Sequence, residues 1–188
     1  MTGLFSKEIR DELIKLDWIE RMPEYPAVPV SKIIGENIIR IPEGLSGVGY
    51  ANKYEVLWIS SKETAVLFIE DWGTVRNDPD ENWYTANFRL IGQVNLKQLG
   101  TYPTVDELII EVMAAMPERL TGKNYLFNPD IEFVGIVAKT PAIFARYTLD
   151  ETEKQNLMFP YDYFALEYHI NFQLNPDCFK PEEKEKIC

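Results

Sequence analysis

The stretch Phe164–Leu174, FALEYHINFQL, decides the fold class. Side chains alternate across an extended chain, so Phe164, Leu166, Tyr168, Ile170, Phe172 and Leu174 share one face, while Ala165, Glu167, His169, Asn171 and Gln173 share the other. The first face reads as core and the second as wet. The run is rich in aromatic and β-branched residues and contains no Gly or Pro, which fits a strand.

Working outward, residues 83–97, WYTANFRLIGQVNLK, alternate in the same way. Tyr84, Ala86, Phe88, Leu90, Val94 and Leu96 fall opposite Thr85, Asn87, Arg89, Gln93, Asn95 and Lys97, and Gly92 on the apolar face suggests a bulge or bend. YEVLWIS and TAVLFIED, separated by SKE, read as an antiparallel hairpin. The following WGTVRNDPDEN reads as a solvent loop. Between the loop ERLTGKNYLFNPD and the last strand, IEFVGIVAK and PAIFARYTL read as two further strands.

Two segments carry helical spacing. Over residues 4–21, Ile9, Leu13 and Leu16 form an apolar stripe widened by Ile14 and Trp18, and Pro23 and Pro26 stop it. In TVDELIIEVMAAMP, Thr104 and Glu107 have the spacing of a capping box, and Val105, Leu108, Ile109, Val112, Met113 and Met116 recur on one face. Between the first helix and the hairpin, AVPVSKII and Asn37–Ile41 read as short extended pieces, with Gly44, Gly47 and Gly49 in an open loop. Strands joined by turns rather than helical crossovers predict a mainly antiparallel sheet with two amphipathic helices packed on one face, an α+β fold. Residues 1–175 read as a single domain, with 23–49 a Pro- and Gly-rich insertion or arm and 176–188 a polar tail.

Net charge −11 disfavours an anionic membrane or a nucleic-acid backbone as a partner, because Lys and Arg are scattered rather than clustered. No apolar run approaches the ~20 residues that span a bilayer. The first residues lack the basic start, apolar block and cleavage site of a signal peptide, so the expectation is a chain made and kept in the cytoplasm. Cys178 and Cys188 have no Cys or His neighbour at metal-ligand spacing and read as unpaired thiols in a polar tail.

Candidate chemistry is sparse. His169, the single histidine, has Glu167 and Asn171 as same-face neighbours, but base catalysis also needs a nucleophile or metal in reach, so a polar-face histidine is the reading. Asp78, Asp80, Glu81 and Asn82 offer oxygen ligands without the spacing of a calcium loop, and Asp150, Glu151 and Glu153 read as a surface run. GLSGVGY lacks the Lys and Ser/Thr of a phosphate loop. The expectation is therefore a chain that is not an enzyme, with no catalytic, cofactor-binding or metal residues.

At the level of organisation, the opening helix, the strand WYTANFRLIGQVNL leading into TYPTVDELIIEVMAAMP, and the closing ARYTLDETEKQNLMFPYDYFALEYHINFQL resemble the tail-terminator and neck (head-tail joining) proteins of long-tailed bacteriophages and prophages. The resemblance covers most of residues 4–174 in order. It implies a non-enzymatic virion-assembly subunit that closes a ring, meets tail-tube and connector proteins, uses no cofactor, and resides in the cytoplasm during assembly and then in the virion. The insertion at 23–49 and the tail after Asn175 depart from compact members of that family. Two other classes fit the same residues: a small acidic adaptor or immunity-like protein that binds a basic partner, and a ligand-binding α+β domain with an apolar pocket lined by Trp58, Trp72, Trp83 or Tyr168.

Overall fold

The structure, a computed structural model, describes residues 2–46, 53–73, 76–78, 83–100, 104–121, 126–148, 154 and 157–175. The candidate oxygen ligands Asp80, Glu81 and Asn82, the acidic run Asp150, Glu151 and Glu153, the glycines 47 and 49, and the tail with Cys178 and Cys188 lie outside the described residues.

The predicted α+β class holds: the strands form two antiparallel sheets, and the longer helices lie against one of them. The last strand, β8 (Tyr161–Leu174), begins three residues before the alternating stretch and pairs along its length with β6 (Trp83–Asn95), from Trp83↔Gln173 to Asn95↔Tyr161. These two strands form the centre of a five-stranded sheet. β4 (Ala65–Asp71) and the short β5 (Arg76–Asp78) pair with β6, and β7 (Leu126–Ile136) pairs with β8.

The even-numbered face of β8 is the main core, as the alternation requires. Phe164, Leu166, Tyr168, Ile170 and Phe172 are buried together with Ala86, Phe88 and Leu90 of β6 and Leu67 and Ile69 of β4. Cross-strand rings stack parallel, Phe88 on Tyr168 at 5.3 Å and Tyr84 on Phe172 at 5.7 Å. Helix α1 (Ser6–Leu13) adds Phe5, Ile9 and Leu13, and α3 (Val105–Ala115) adds Leu108, Ile109 and Val112, so both helices sit on this one face.

Several expectations are corrected. The first helix spans eight residues, not 4–21, because the chain tightens after Leu13 into successive turns, with Leu16 N–H on Leu13 and Ile19 N–H on Leu16. Those turns carry Trp18 into the core, where its indole N–H donates to Glu111 of α3 at 2.8 Å. Helix α3 starts after Thr104 as predicted, but the Thr104 side chain makes no capping bond. The short helix α2 (Leu96–Leu99) replaces the end of the long strand reading.

Gly92 marks no bulge. Pairing runs unbroken through Leu67↔Gly92 and Gly92↔Phe164, and a Cβ on Gly92 would lie 2.3 Å from the Phe164 ring. The glycine is the seat on which that ring lies.

The predicted hairpin of 54–60 with 64–71 is divided between two sheets. β3 (Lys53–Val56) pairs instead with β2 (Asn37–Ser46), and β2 with β1 (Val28–Ile34), so the two extended pieces of the insertion join in a long hairpin. Gly35, with φ 62°, and Glu36 form its two-residue turn, the loop length that closes tight hairpins. Gly44 lies within β2, not in a loop, and its bare backbone admits Pro23, which an added Cβ would meet at 2.6 Å. The segment between β3 and β4 crosses to the main sheet because Leu57 and Ile59 are buried on its second face.

That second face is apolar only over part of its area. Val66 and Phe68 of β4, Ile91 of β6 and Tyr163 and Ala165 of β8 are covered by Leu57, Ile59, Ile143, Phe144 and Tyr147. PAIFARYTL is therefore not a strand. Pro141–Phe144 is a single 3-10 turn in a strap, residues 137–148, whose Ile143, Phe144 and Tyr147 all turn inward. At its end Thr148 donates its N–H to Arg40 O at 2.7 Å, which ties the strap to β2. WGTVRNDPDEN likewise contains strand β5 rather than loop alone.

Both outer edges of the main sheet are partly covered. Residues 21–27 run along β4, with Leu67 N–H on Arg21 O and Ala27 N–H on Ile69 O. Residues 118–120 run along the start of β7, with Leu120 N–H on Pro129 O and Ile131 N–H on Glu118 O.

Candidate binding face

Beyond Tyr147 the strap no longer covers the sheet, and the same face of β6 and β8 turns polar in register. Cross-strand partners set three rows. The first is Glu70, Arg89 and Glu167, the second Asn87, His169 and Glu132, and the third Thr85, Asn171 and Asp130. His169 thus stands between an amide and a carboxylate supplied by its neighbouring strands, while Glu167 and Asn171 lie one row away on its own strand.

In the first row Arg89 donates through Nε and Nη2 to Oε1 of Glu167, at 2.8 and 2.5 Å. The guanidinium carbon lies 3.3 Å from the centre of the Trp72 ring. The side chain is only 11% exposed, so the ion pair and the ring contact act in a partly desolvated setting where charge pairs are screened less. Glu70 is fully buried beneath the end of the strap and accepts the Tyr147 hydroxyl, while its Oε2 has no partner. Burial pushes the Glu70 carboxyl above its ordinary range, against the opposing pull of the Tyr147 bond and of Arg146 and Arg89. Burial likewise raises the Tyr147 phenol, with the Glu70 charge adding to it.

In the third row the Thr85 hydroxyl donates to Asn171 Oδ1 at 2.9 Å, and the Asn171 amide reaches Asp130 and Glu132, each at 3.4 Å. Between the rows lies a cleft of about 60 Å³ lined by Trp72, Asn87, Phe88, Glu167, Tyr168 and His169. Asn87 Oδ1, on the wall of this cleft, is buried without a partner.

The aromatic residues expected to line one apolar pocket are scattered. Trp58 packs edge-on against Phe144 and Tyr147 under the strap, Trp72 covers Arg89, and Tyr168 belongs to the main core, where burial raises its phenol. Trp83 lines a separate open groove of about 570 Å³ with Arg119, Leu120, Thr121, Asn128, Pro129 and Asp130. Of the four, only Trp72 and Tyr168 reach a common cleft, the small one beside His169, while Trp58 and Trp83 lie elsewhere.

Family models, curated proteins and solved structures gave no match to this chain. The polar face therefore has to be read from its own chemistry. Among the described residues, no three His, Cys, Asp or Glu side chains converge as a metal set, and no helix is long and apolar enough to cross a membrane. The face gathers carboxylates and amides around one internally paired arginine. Sequence reading placed Thr85, Asn87 and Arg89 on the wet side but missed Glu70, Asp130 and Glu132. The alternation of β6 and β8 was visible, whereas the register that brings β4 and β7 alongside depends on long-range pairing.

Proposed function

We propose that this chain is a non-enzymatic assembly subunit of a long-tailed bacteriophage or prophage particle, of the tail-terminator or neck type, which forms a ring with further copies of itself. The observation that carries the reading is the β1–β2 arm. Ile33 and Ile38 are cross-strand partners beside its Gly35–Glu36 turn and are 79% and 70% exposed. Fully burying one isoleucine side chain contributes roughly 1.5–3 kcal/mol, so an exposed pair at the end of a two-stranded projection supports a role in contact with another molecule. The open end of β7 presents Phe133, Val134 and Ile136 as a second apolar surface, 39%, 47% and 59% exposed.

The element order gives further support. β6 runs directly into the helical segment, and the aromatic-rich β8 follows the acidic stretch, the arrangement on which the resemblance to tail terminators rests. A subunit carrying two different apolar surfaces suits head-to-tail contacts, which generate rings when the rotation closes. Tail-tube and connector proteins are the expected further partners, and the acidic surface suits a channel that passes DNA without gripping its phosphates. Such a subunit would be cytoplasmic during assembly and then part of the virion.

The test is molar mass by light scattering behind a sizing column over a wide concentration range, with negative-stain images of any large species. Closed rings with a central hole are expected. A strict monomer that also fails to bind purified tail tubes would overturn the reading.

A further inference from the structure

Each sheet ends in a strand with an open side. β1 is an outer strand of the three-stranded sheet, and β7 is an outer strand of the five-stranded one. Across the two-residue turn Ile34 and Asn37 form the hydrogen-bonded pair, so the alternation of the ladder turns the backbone N–H and C=O of Ser31 and Ile33 away from β2. On β7, Ile131 sends its N–H outward to Glu118 O, and two residues on, the backbone groups of Phe133 point the same way. Among the described residues, nothing pairs with the outer side of β1 or with that of β7 beyond Ile131. Such edges are templates for a further strand, and proteins usually blunt or cover them.

The side chains at the two edges match. Ser31, Lys32, Ile33, Asn37 and Ile38 are all exposed although they belong to both faces of the hairpin, so the tip stands clear of the body, while buried Ile39 and Ile41 hold its base. The open end of β7 offers Phe133, Val134 and Ile136. Charge selects the occupant. A second copy carries the same net charge of −11 and is repelled from most approaches. The arm escapes that repulsion, because β1 and β2 set Lys32 and Arg40 against Glu36 and Glu43, whereas β7 holds Asp130 and Glu132 and no cation.

We infer that β1 of one copy adds as an antiparallel strand to the outer edge of β7 in a second copy, with Ile33 opposite Phe133. The inference rests on the ring-forming reading above and names the surface that each arm meets. In this register Ile33 and Phe133 exchange two backbone hydrogen bonds and lay their side chains on the same side of the joint. Lys32 then falls on the other side, diagonal to Glu132 and within reach of a long side chain. Its ammonium is bonded to Glu43 and keeps two further N–H donors for that carboxylate. Arm and edge belong to different parts of the chain, so each copy gives one arm and receives one, a head-to-tail contact that joins the three-stranded sheet of one copy to the five-stranded sheet of the next.

The test mixes two variants of the full chain in sedimentation velocity. Ile33→Asp/Ile38→Asp disables the arm and leaves the edge, and Val134→Asp/Ile136→Asp disables the edge and leaves the arm. All four positions are exposed, and unchanged melting temperatures would show that both variants are folded. Each variant alone should be monomeric, and the equimolar mixture should form a pair and nothing larger, since one intact joint remains. In an otherwise native chain Lys32→Glu should weaken self-association several-fold, and adding Glu132→Lys to the same chain should restore it. A native chain that stays monomeric would overturn the inference, and the ring reading with it if tail tubes are not bound either. Native association that persists in the edge variant, a mixture that stays monomeric, or a charge reversal that Glu132→Lys does not rescue would overturn the inference alone.

Discussion

The Tyr147 hydroxyl donates to Oε1 of Glu70 in the closed space between β4 and the strap. Three consecutive strap residues act there together: Arg146 donates to the Asp71 carbonyl at 2.8 Å, Tyr147 to Glu70, and Thr148 to the Arg40 carbonyl of β2. The strap thereby joins the edge of the main sheet to the arm, and a fully buried carboxyl lies at the middle of the joint.

Glu70 should give the protein a pH-dependent stability. Its carboxyl holds a proton to higher pH in the folded chain than in the unfolded one, so its contribution is complete below the ordinary carboxylate range. That contribution is lost as pH rises through the raised folded value. Glu70→Gln keeps an acceptor for Tyr147 and cannot ionise. The melting temperature of Glu70→Gln relative to the native chain should therefore climb as pH is raised across that window. A gap that stays constant with pH would contradict the assignment.

Gly92 is expected to reject any side chain. An alanine methyl would fall 2.3 Å from one atom of the Phe164 ring and 2.4 Å from another, and overpacking of this kind costs about 1–3 kcal/mol. Chemical denaturation should show that loss for Gly92→Ala, with much of it recovered when Phe164→Leu is added. Equal stability of Gly92→Ala and the native chain would mean that the ring does not lie on the glycine.

Ile170 is fully buried in the main core between Ala86 of β6 and Ile131 of β7. Ile170→Asp places an unpaired charge there and should abolish cooperative unfolding, because an uncompensated buried charge exceeds the stability of a typical domain of this size. A soluble variant with a cooperative melting curve would contradict the facing of β8.

The ion pair of Arg21 with Glu63 should anchor the chain where it crosses between the sheets. Arg21 donates to Glu63 at 2.6 Å and also to the carbonyls of Val56 and Trp58, and although burial opposes it, the bonds from Arg21 and Ser60 hold the Glu63 carboxyl below its ordinary range. This contribution is present above the ordinary carboxylate range and is lost as pH falls through the lowered folded value. Arg21→Ala should cost about 1–3 kcal/mol in denaturation, since it strands a half-buried carboxylate and two carbonyls. A loss smaller than that of an exposed Lys15→Ala would contradict the anchoring role.

What could be read in advance was the local part of the fold. Strict alternation in Phe164–Leu174 and a looser alternation in Trp83–Asn95 announced the two central strands, and the spacing of Val105, Leu108, Ile109 and Val112 announced α3. Partner choice was not local. Tyr54–Val56 and Ala65–Asp71 look like the two arms of a hairpin, yet burial of Leu57 and Ile59 under the strap sends them to different sheets. PAIFARYTL has strand-like composition, but its apolar residues point together into one core instead of alternating, as a short turn allows. The polar face was half visible for the same reason: Arg89, His169 and Asn171 follow from alternation, whereas Glu70 and Glu132 join them only through pairing across the sheet.

The arm carries the functional account, and sedimentation velocity of the native chain beside an Ile33→Asp/Ile38→Asp double variant tests it most directly. Both positions are exposed, so the variant should melt as the native protein does. The account predicts a large closed species for the native chain and a monomer for the variant at the same concentration. Identical distributions for the two proteins would contradict it.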